Sequence, residues 1–122
     1  MDGAGADTII GGSGADTLIG GAAGDTLDGG IGNDLLRGGA GDDSLTGGGG
    51  ADLFEFAAGE GTDRIADFTL GLDQIDFIAA TQISDITFAA VAGGVRMTVG
   101  ATSVIAEGLT LAQMQDPANF HF

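Results

Sequence analysis

Aspartate recurs every nine residues through the first half of this chain, at Asp7, Asp16, Asp25, Asp34, Asp43 and Asp52. Carboxylates at a fixed period bring hard oxygen donors to repeated positions, and the chemistry they suit is capture of a hard cation. Two residues after each stands a large apolar side chain: Ile9, Leu18, Leu27, Leu36, Leu45 and Phe54. Cutting from Asp2 gives DGAGADTII, GGSGADTLI, GGAAGDTLD, GGIGNDLLR, GGAGDDSLT and GGGGADLFE, six blocks in register without an insertion. Two positions depart from the pattern. Asp2 replaces the leading glycine of the first block, and Ala23 replaces the fourth-position glycine of the third.

Other chemistries fail on inventory. The only histidine is His121, one residue from the C-terminus, and cysteine is absent, so thiolate and imidazole metal sites and disulfides are excluded. No H-E-x-x-H zinc motif occurs, and none of Ser13, Ser44, Ser84 and Ser103 sits in a G-x-S-x-G elbow, so no enzyme activity is expected. The glycines run into aspartate rather than Lys-Ser/Thr, which would repel a phosphate. Eighteen acidic residues against three arginines (Arg37, Arg64 and Arg96) give a formal charge of -15, which excludes nucleic-acid binding through phosphates. Such a charge usually signals disorder. Here 43% of the residues are hydrophobic, and the conflict resolves if the carboxylates have counter-ions. No apolar run is long enough to span a membrane, and no ordinary signal peptide is visible.

The elements that must position the aspartates follow from the block. Eighteen of the 25 glycines fall between Asp2 and Glu55. Gly-Gly-x-Gly-x-Asp is a turn in which glycine permits positive φ and lets carbonyls point inward. The next three residues, such as Thr17-Leu18-Ile19, form a short strand whose middle side chain faces one way and its neighbours the other. Two blocks make one coil, and stacked coils make two parallel sheets with the eighth-position side chains between them. Aspartates 18 residues apart then lie one above the other at about the 4.8 Å strand spacing. Carboxylates that close repel unless a cation intervenes. Aspartate and carbonyl oxygens form an all-oxygen shell that suits Ca²⁺ better than Mg²⁺ or Zn²⁺.

These blocks resemble the RTX (hemolysin-type) nonapeptide GGxGxDxUx, a Ca²⁺-binding repeat. The resemblance covers residues 2–55 and implies an all-β fold: a parallel β-roll (RTX β-helix) with Ca²⁺ between successive same-side turns. On this chain it implies four complete sites, pairing Asp7 with Asp25, Asp25 with Asp43, Asp16 with Asp34 and Asp34 with Asp52. The turn glycines Gly12, Gly14, Gly21, Gly30, Gly32, Gly39, Gly41, Gly48 and Gly50 are the candidate carbonyl donors. Ala23 is expected to weaken the sites that touch the third block.

After Glu55 the pattern changes. Gly-Ala-Asp-Leu-Phe-Glu-Phe, Gly-Thr-Asp-Arg-Ile-Ala-Asp-Phe and Gly-Leu-Asp-Gln-Ile-Asp-Phe, within residues 50–77, resemble the cap that follows RTX repeats in serralysin-type proteases and alginate-epimerase R-modules. Asp63 lies 20 residues after Asp43, so a two-residue insertion would place it in the next same-side position. Asp73 lies in a turn and could close a last site, while Asp67 and Asp76 read as strand-edge acids. In such relatives the cap adds Ca²⁺ ligands, which carries Asp63 and Asp73 into the metal set. Ile86-Thr87-Phe88 and Val95–Val99 around Gly93-Gly94 read as a hairpin. Thr110 with Gln113 reads as a capping box for a helical turn or two stopped by Pro117.

The expected organisation is six repeats over 2–55 and a β-rich C-terminal cap over 56–122 that also carries a type I secretion signal. The family implies a secreted module that binds about four or more Ca²⁺ ions, folds on binding them, and engages the type I secretion machinery during export. Met1 leads straight into a degenerate repeat, so the chain reads as the C-terminal module of a longer secreted protein. Two rival readings remain. One is binding of an extracellular polysaccharide, for which Phe88, Phe120 and Phe122 are the loose aromatics. The other is an adhesive or self-associating module with an exposed sheet edge.

Overall fold

The computed structural model describes residues 4–57, 61–78 and 83–120, so Asp2, His121 and Phe122 lie outside the described residues. The blocks form short strands in alternation: β1 (Thr8–Ile10), β2 (Thr17–Gly21), β3 (Thr26–Asp28), β4 (Leu35–Gly39), β5 (Ser44–Thr46) and β6 (Leu53–Phe56). Odd strands stack in one sheet and even strands in the other, all in parallel. The register is 18 residues, as in Leu27 against Leu45 and Leu36 against Phe54. The fold is thus the all-β parallel roll that the nine-residue period predicts.

The roll continues past the repeats. β7 (Thr62–Ile65) adds to β5 with a 20-residue offset, Ser44 against Arg64, and β8 (Gln74–Phe77) adds to β6 with a 21-residue offset, Leu53 against Gln74. Longer turns absorb the extra residues, so the column of side chains between the sheets is unbroken. Leu27, Leu36, Leu45, Phe54, Ile65 and Ile75 are fully buried there. Each contributes about 1.5–3 kcal/mol from removal of its apolar surface from water. Ile9, at the first coil, is only partly buried.

The C-terminal part closes the open end. β9 (Thr87–Val91), β10 (Gly94–Val99) and β11 (Thr102–Glu107) form an antiparallel meander, with the expected hairpin at Gly93, whose φ is 83°. β11 then pairs in parallel with β7, so the meander extends the odd-strand sheet to seven strands. A one-turn helix α1 (Leu111–Met114) has the capping box read from sequence: Thr110 Oγ1 accepts from Gln113 N, and Gln113 Oε1 accepts from Thr110 N. It seats Met114 in the core, and a 3₁₀ turn at Pro117–Asn119 leads to Phe120, which bridges to Ile75. Phe120 thereby tops one apolar column. Its place also corrects the reading of loose aromatics: Phe120 is buried against Phe77, and Phe88 packs edge-on to it at 5.8 Å.

One strain is visible in the repeats. Ala23 has φ 73° and is the non-glycine with positive φ among the described residues. It adopts the conformation of the glycine it replaces, at a cost of about 1–2 kcal/mol. The turn keeps its shape, and the register on either side is unchanged.

Phe56, Ile65, Phe68, Ile75 and Phe77 are all buried, and all follow the repeats in sequence. Residues 1–55 alone would therefore expose Leu45 and Phe54, and a repeat stack with an uncovered apolar end does not hold. The isolated repeats are expected to stay disordered in millimolar Ca²⁺, read by far-ultraviolet circular dichroism against the full chain. A cooperative Ca²⁺ transition in residues 1–55 would contradict this account.

Candidate metal centre

Each repeat aspartate sits where the turn ends and the strand begins, so the parallel register carries its side chain directly to the neighbouring coil. The Asp25 carboxylate accepts from Asp7 N at 2.8 Å, and Asp43 accepts from Asp25 N at 2.7 Å. On the other flank Asp34 accepts from Asp16 N at 2.8 Å and Asp52 from Asp34 N at 3.0 Å. The four pairs expected from sequence are thus brought together, through Oδ1 and a main-chain N–H. Asp63 accepts from Asp43 N at 2.8 Å and Asp73 from Asp52 N at 2.9 Å, so both take the next rung of their ladder. The two-residue insertion inferred for Asp63 has the effect expected of it.

These ladder bonds engage Oδ1 only. Oδ2 of Asp16, Asp25, Asp34 and Asp52 is buried and makes no hydrogen bond among the described residues. A buried anionic oxygen without a partner costs several kcal/mol. Its surroundings show what it faces. A Cβ on Gly29 would lie 2.5 Å from Asp34 Oδ2 and 2.7 Å from the Gly47 carbonyl oxygen. One on Gly11 would lie 2.9 Å from Asp16 Oδ2 and 2.6 Å from the Gly29 oxygen. At Gly20 it would meet Asp25 Oδ2 and, at 2.6 Å, the Gly38 oxygen. The gap left by each of these leading glycines is therefore walled by a carboxylate oxygen of its own block and a carbonyl oxygen of the next coil. Two acceptors facing one gap suit a cation and disfavour an anion. Among the described residues no three acidic or imidazole side chains converge on one point, and the further oxygens that line these gaps are main-chain carbonyls. That donor set is hard and all-oxygen, which fits Ca²⁺.

The glycines named from sequence form the turns. Gly12, Gly14, Gly21, Gly30, Gly32, Gly39, Gly41, Gly48 and Gly50 all have positive φ and so shape the turns. The carbonyls of Gly12, Gly21 and Gly30 accept from Ile31 N, Ala40 N and Gly49 N. The carbonyl oxygens that wall the gaps at Gly11, Gly20 and Gly29 belong to the leading glycines Gly29, Gly38 and Gly47, which are absent from the set inferred from sequence. A signal for them exists: the leading position is glycine in five of six blocks.

Two acids are held differently. Asp73 Oδ2 accepts from Thr69 N at 2.8 Å, so both its oxygens bind main chain. Asp67, read as a strand-edge acid, accepts from Gly47 N and Gly48 N at 2.8 Å each and closes the last glycine turn. Beyond Asp63 the ladder stops, because β11 places Val104 opposite it.

Asp34 is bonded to the coils on both sides, whereas Asp7 stands on the first rung. Asp34→Ala is expected to raise the Ca²⁺ midpoint for folding markedly more than Asp7→Ala. Equal midpoints for the two variants would argue against the 18-residue ladder.

Charge crowding also predicts a pH response. Burial pushes the Asp52 carboxyl above the usual carboxylate range; the Asp34 N–H opposes this, and the charges of Asp73, Asp34 and Asp67 add to it. Burial raises Asp73 too, against the N–H groups of Asp52 and Thr69. A carboxyl raised in the folded state binds its proton more tightly there than in the unfolded chain, so its penalty is full above the raised value. In chelator, acidification from neutral through the raised values toward the ordinary carboxylate range should therefore favour the roll, with no further gain below. The readout is strand content by circular dichroism, and a fall in strand signal along that path would contradict the account.

The chain matches the family described as the RTX calcium-binding nonapeptide repeat, in four copies, over residues 1–36, 19–54 and 28–65. No curated protein matches it. Among solved structures it is similar to the extracellular lipase LipA from Serratia marcescens, with 26% identity and a TM-score of 0.70, over 92% of this chain. The chain spans 20% of that lipase's length. It is also similar to the AlgE6R3 subunit from the Azotobacter vinelandii mannuronan C5-epimerase, with 30% identity and a TM-score of 0.68, over 97% of this chain and 80% of that one. The nonapeptide register, the stacked aspartates and these likenesses agree: the chain belongs to the RTX family of calcium-binding nonapeptide-repeat proteins.

Proposed function

We propose that this calcium-binding β-roll is a metal-gated folding module of a secreted protein, extended without Ca²⁺ and folded once it meets Ca²⁺ outside the cell. The observation that carries the reading is the row of buried Asp Oδ2 atoms facing glycine carbonyls without a donor. Asp16, Asp25, Asp34 and Asp52, with the leading-glycine oxygens and the further aspartates Asp7, Asp43 and Asp63, would hold the ions. Asp73 would serve chiefly as the closing rung. Bound Ca²⁺ would supply positive charge between carboxylates that otherwise repel. An ion that binds only the folded chain adds its binding free energy to folding, about 2.7 kcal/mol per site at a hundredfold excess over Kd. Four such sites would rival the whole stability of a small domain.

Scarce free Ca²⁺ inside a cell would keep such a chain extended for passage through type I machinery. The extracellular location printed for the similar lipase supports this placement. The catalytic work of a parent protein would lie outside this module. The likeness to a mannuronan epimerase subunit favours a second reading, in which the module binds an anionic polysaccharide with Ca²⁺ as bridge. Against it, no aromatic ring among the described residues is among the exposed large apolar side chains, which are Ile10, Ile31, Leu70, Leu72 and Ile78.

In chelator at neutral pH the chain is expected to lack the native strand signal, and Ca²⁺ should restore it in one cooperative step. Mg²⁺ should do so poorly, because it holds its waters and demands a tighter octahedron. Native far-ultraviolet dichroism after exhaustive chelation at that pH would overturn the reading.

A further inference from the structure

The turns on the two flanks of the roll are not built alike. On the even flank, where turns lead into β2, β4 and β6, the third turn residues pair from coil to coil: Ser13 with Ile31, and Ile31 with Gly49. Two bonds join each pair of turns. Ile31 N donates to Gly12 O and Gly14 N to Ile31 O, both at 2.8 Å; Gly49 N donates to Gly30 O at 2.8 Å and Gly32 N to Gly49 O at 2.9 Å. On the odd flank the pairing falls one turn position earlier, at Gly21 with Gly39. There Ala40 N donates to Gly21 O at 2.9 Å, but the counterpart of the second bond, from Ala23 N to Ala40 O, is not formed among the described residues.

The residue that differs is Ala23. The same turn position is glycine at Gly14, Gly32, Gly41 and Gly50, with φ between 99° and 137°, whereas Ala23 stands at 73°. A side chain is crowded at this position. A Cβ on Gly32, Gly41 or Gly50 would press on the carbonyl oxygen of Gly14, Ala23 or Gly32 in the coil beneath. Rotation about the N–Cα bond of Ala23 re-aims its N–H relative to the rest of the turn, which fits the missing bond. Charge does not separate the flanks. Beside its ladder aspartates the odd groove is lined by Asp42 and Arg64, which offset each other, and the even groove by the neutral Asn33 and Gln74.

We propose that the flanks form two classes of Ca²⁺ site, in which the even gaps at Gly11 and Gly29 bind tightly and the odd gap at Gly20, in the Ala23 turn, binds about tenfold more weakly. These classes exist only if the gaps hold Ca²⁺, as proposed above. A shell built partly from turn carbonyls binds best when its peptides are fixed before the ion arrives. Two bonds between turns fix the even gaps. The Ala23 turn has one, and closing it also holds alanine in the left-handed region, which L-residues resist. Both sheets share one apolar column, so strands still form in a single step, driven by the even flank. The odd site fills afterwards. Ala23 is thus a positioning residue, acting through the turn rather than on the ion.

The test is a Ca²⁺ titration of the full chain, read by equilibrium dialysis for bound ion and by circular dichroism for strand content. Bound Ca²⁺ is expected to go on rising after the strand signal has levelled, with two affinities about tenfold apart. Ala23→Gly should bring the weaker class up to the tighter one. Gly14→Ala puts alanine on the even flank, where φ is 99° and a Cβ meets open space, and should weaken the tighter class and raise the Ca²⁺ midpoint for strand formation. Gly93→Ala, at φ 83° and equally open in the β9–β10 hairpin, controls for general loss of stability and should leave the ratio of the two affinities unchanged. Circular dichroism in saturating Ca²⁺ reports the folding of every variant separately. A single class of sites in the wild type overturns the proposal. So does an Ala23→Gly variant that keeps the wild-type ratio, a Gly14→Ala variant whose tighter class is untouched, or a Gly93→Ala variant that changes the ratio. A chain that takes up no Ca²⁺ overturns the Ca²⁺ reading of the gaps as well.

Discussion

Every coil of this roll after the first buries two carboxylates directly over those of the neighbouring coil, and the rest of the molecule is an accommodation to that fact. Oδ1 of Asp25, Asp34, Asp43, Asp52, Asp63 and Asp73 is met by a main-chain N–H 18 to 21 residues away. That bond fixes which residues stack, and therefore the register of both sheets. Oδ2 of Asp16, Asp25 and Asp34 faces a carbonyl, and that contact cannot be satisfied by the polypeptide. The apolar column between the sheets offers too little to offset the imbalance, since each coil adds only two large core side chains. A carboxylate ladder with one oxygen bonded and one oxygen open is therefore both the organiser of the fold and the main term against it.

The ends of the ladder show how a metal-free solution looks. Asp73 has main-chain donors on both oxygens, and Asp67 occupies two glycine N–H groups of the last turn. At these places protein replaces the ion. Val104, opposite Asp63, then ends one column with an apolar residue, and Phe120 over Ile75 ends the other. The outer face is held more loosely. Arg37 and Glu55, 18 residues apart, form a 2.9 Å ion pair that is partly exposed, and such pairs contribute less than about 1 kcal/mol.

Much of this is legible in the sequence because the repeat imposes it. A fixed period of nine names the aspartates, the buried column and the alternation between sheets without knowledge of any distance. Asp63 is reachable by counting, since only the register matters. The particular carbonyls are not reachable. Glycine at positions one, two and four announces freedom but not peptide orientation, and the orientation decides that Gly29 rather than Gly30 faces the carboxylate. Asp67 escapes a sequence reading for a related reason: its partners are N–H groups 19 and 20 residues earlier, left open only because the chain quits the sheet there. The meander is visible at Gly93-Gly94, but the parallel docking of β11 on β7 is a contact between distant segments that no local pattern encodes.

The cap recognises the two sheets separately: β11 completes the odd-strand sheet, and Phe120 completes the even-strand column. Gene duplication within the array is thereby quantised. Inserting one nine-residue block would shift every later block to the opposite sheet and present the cap with exchanged partners. Inserting two would lengthen the roll by a coil and return every later strand to its original sheet. Arrays of this kind can therefore grow or shrink by whole coils while keeping one cap, and an odd number of added blocks requires the cap itself to be rebuilt.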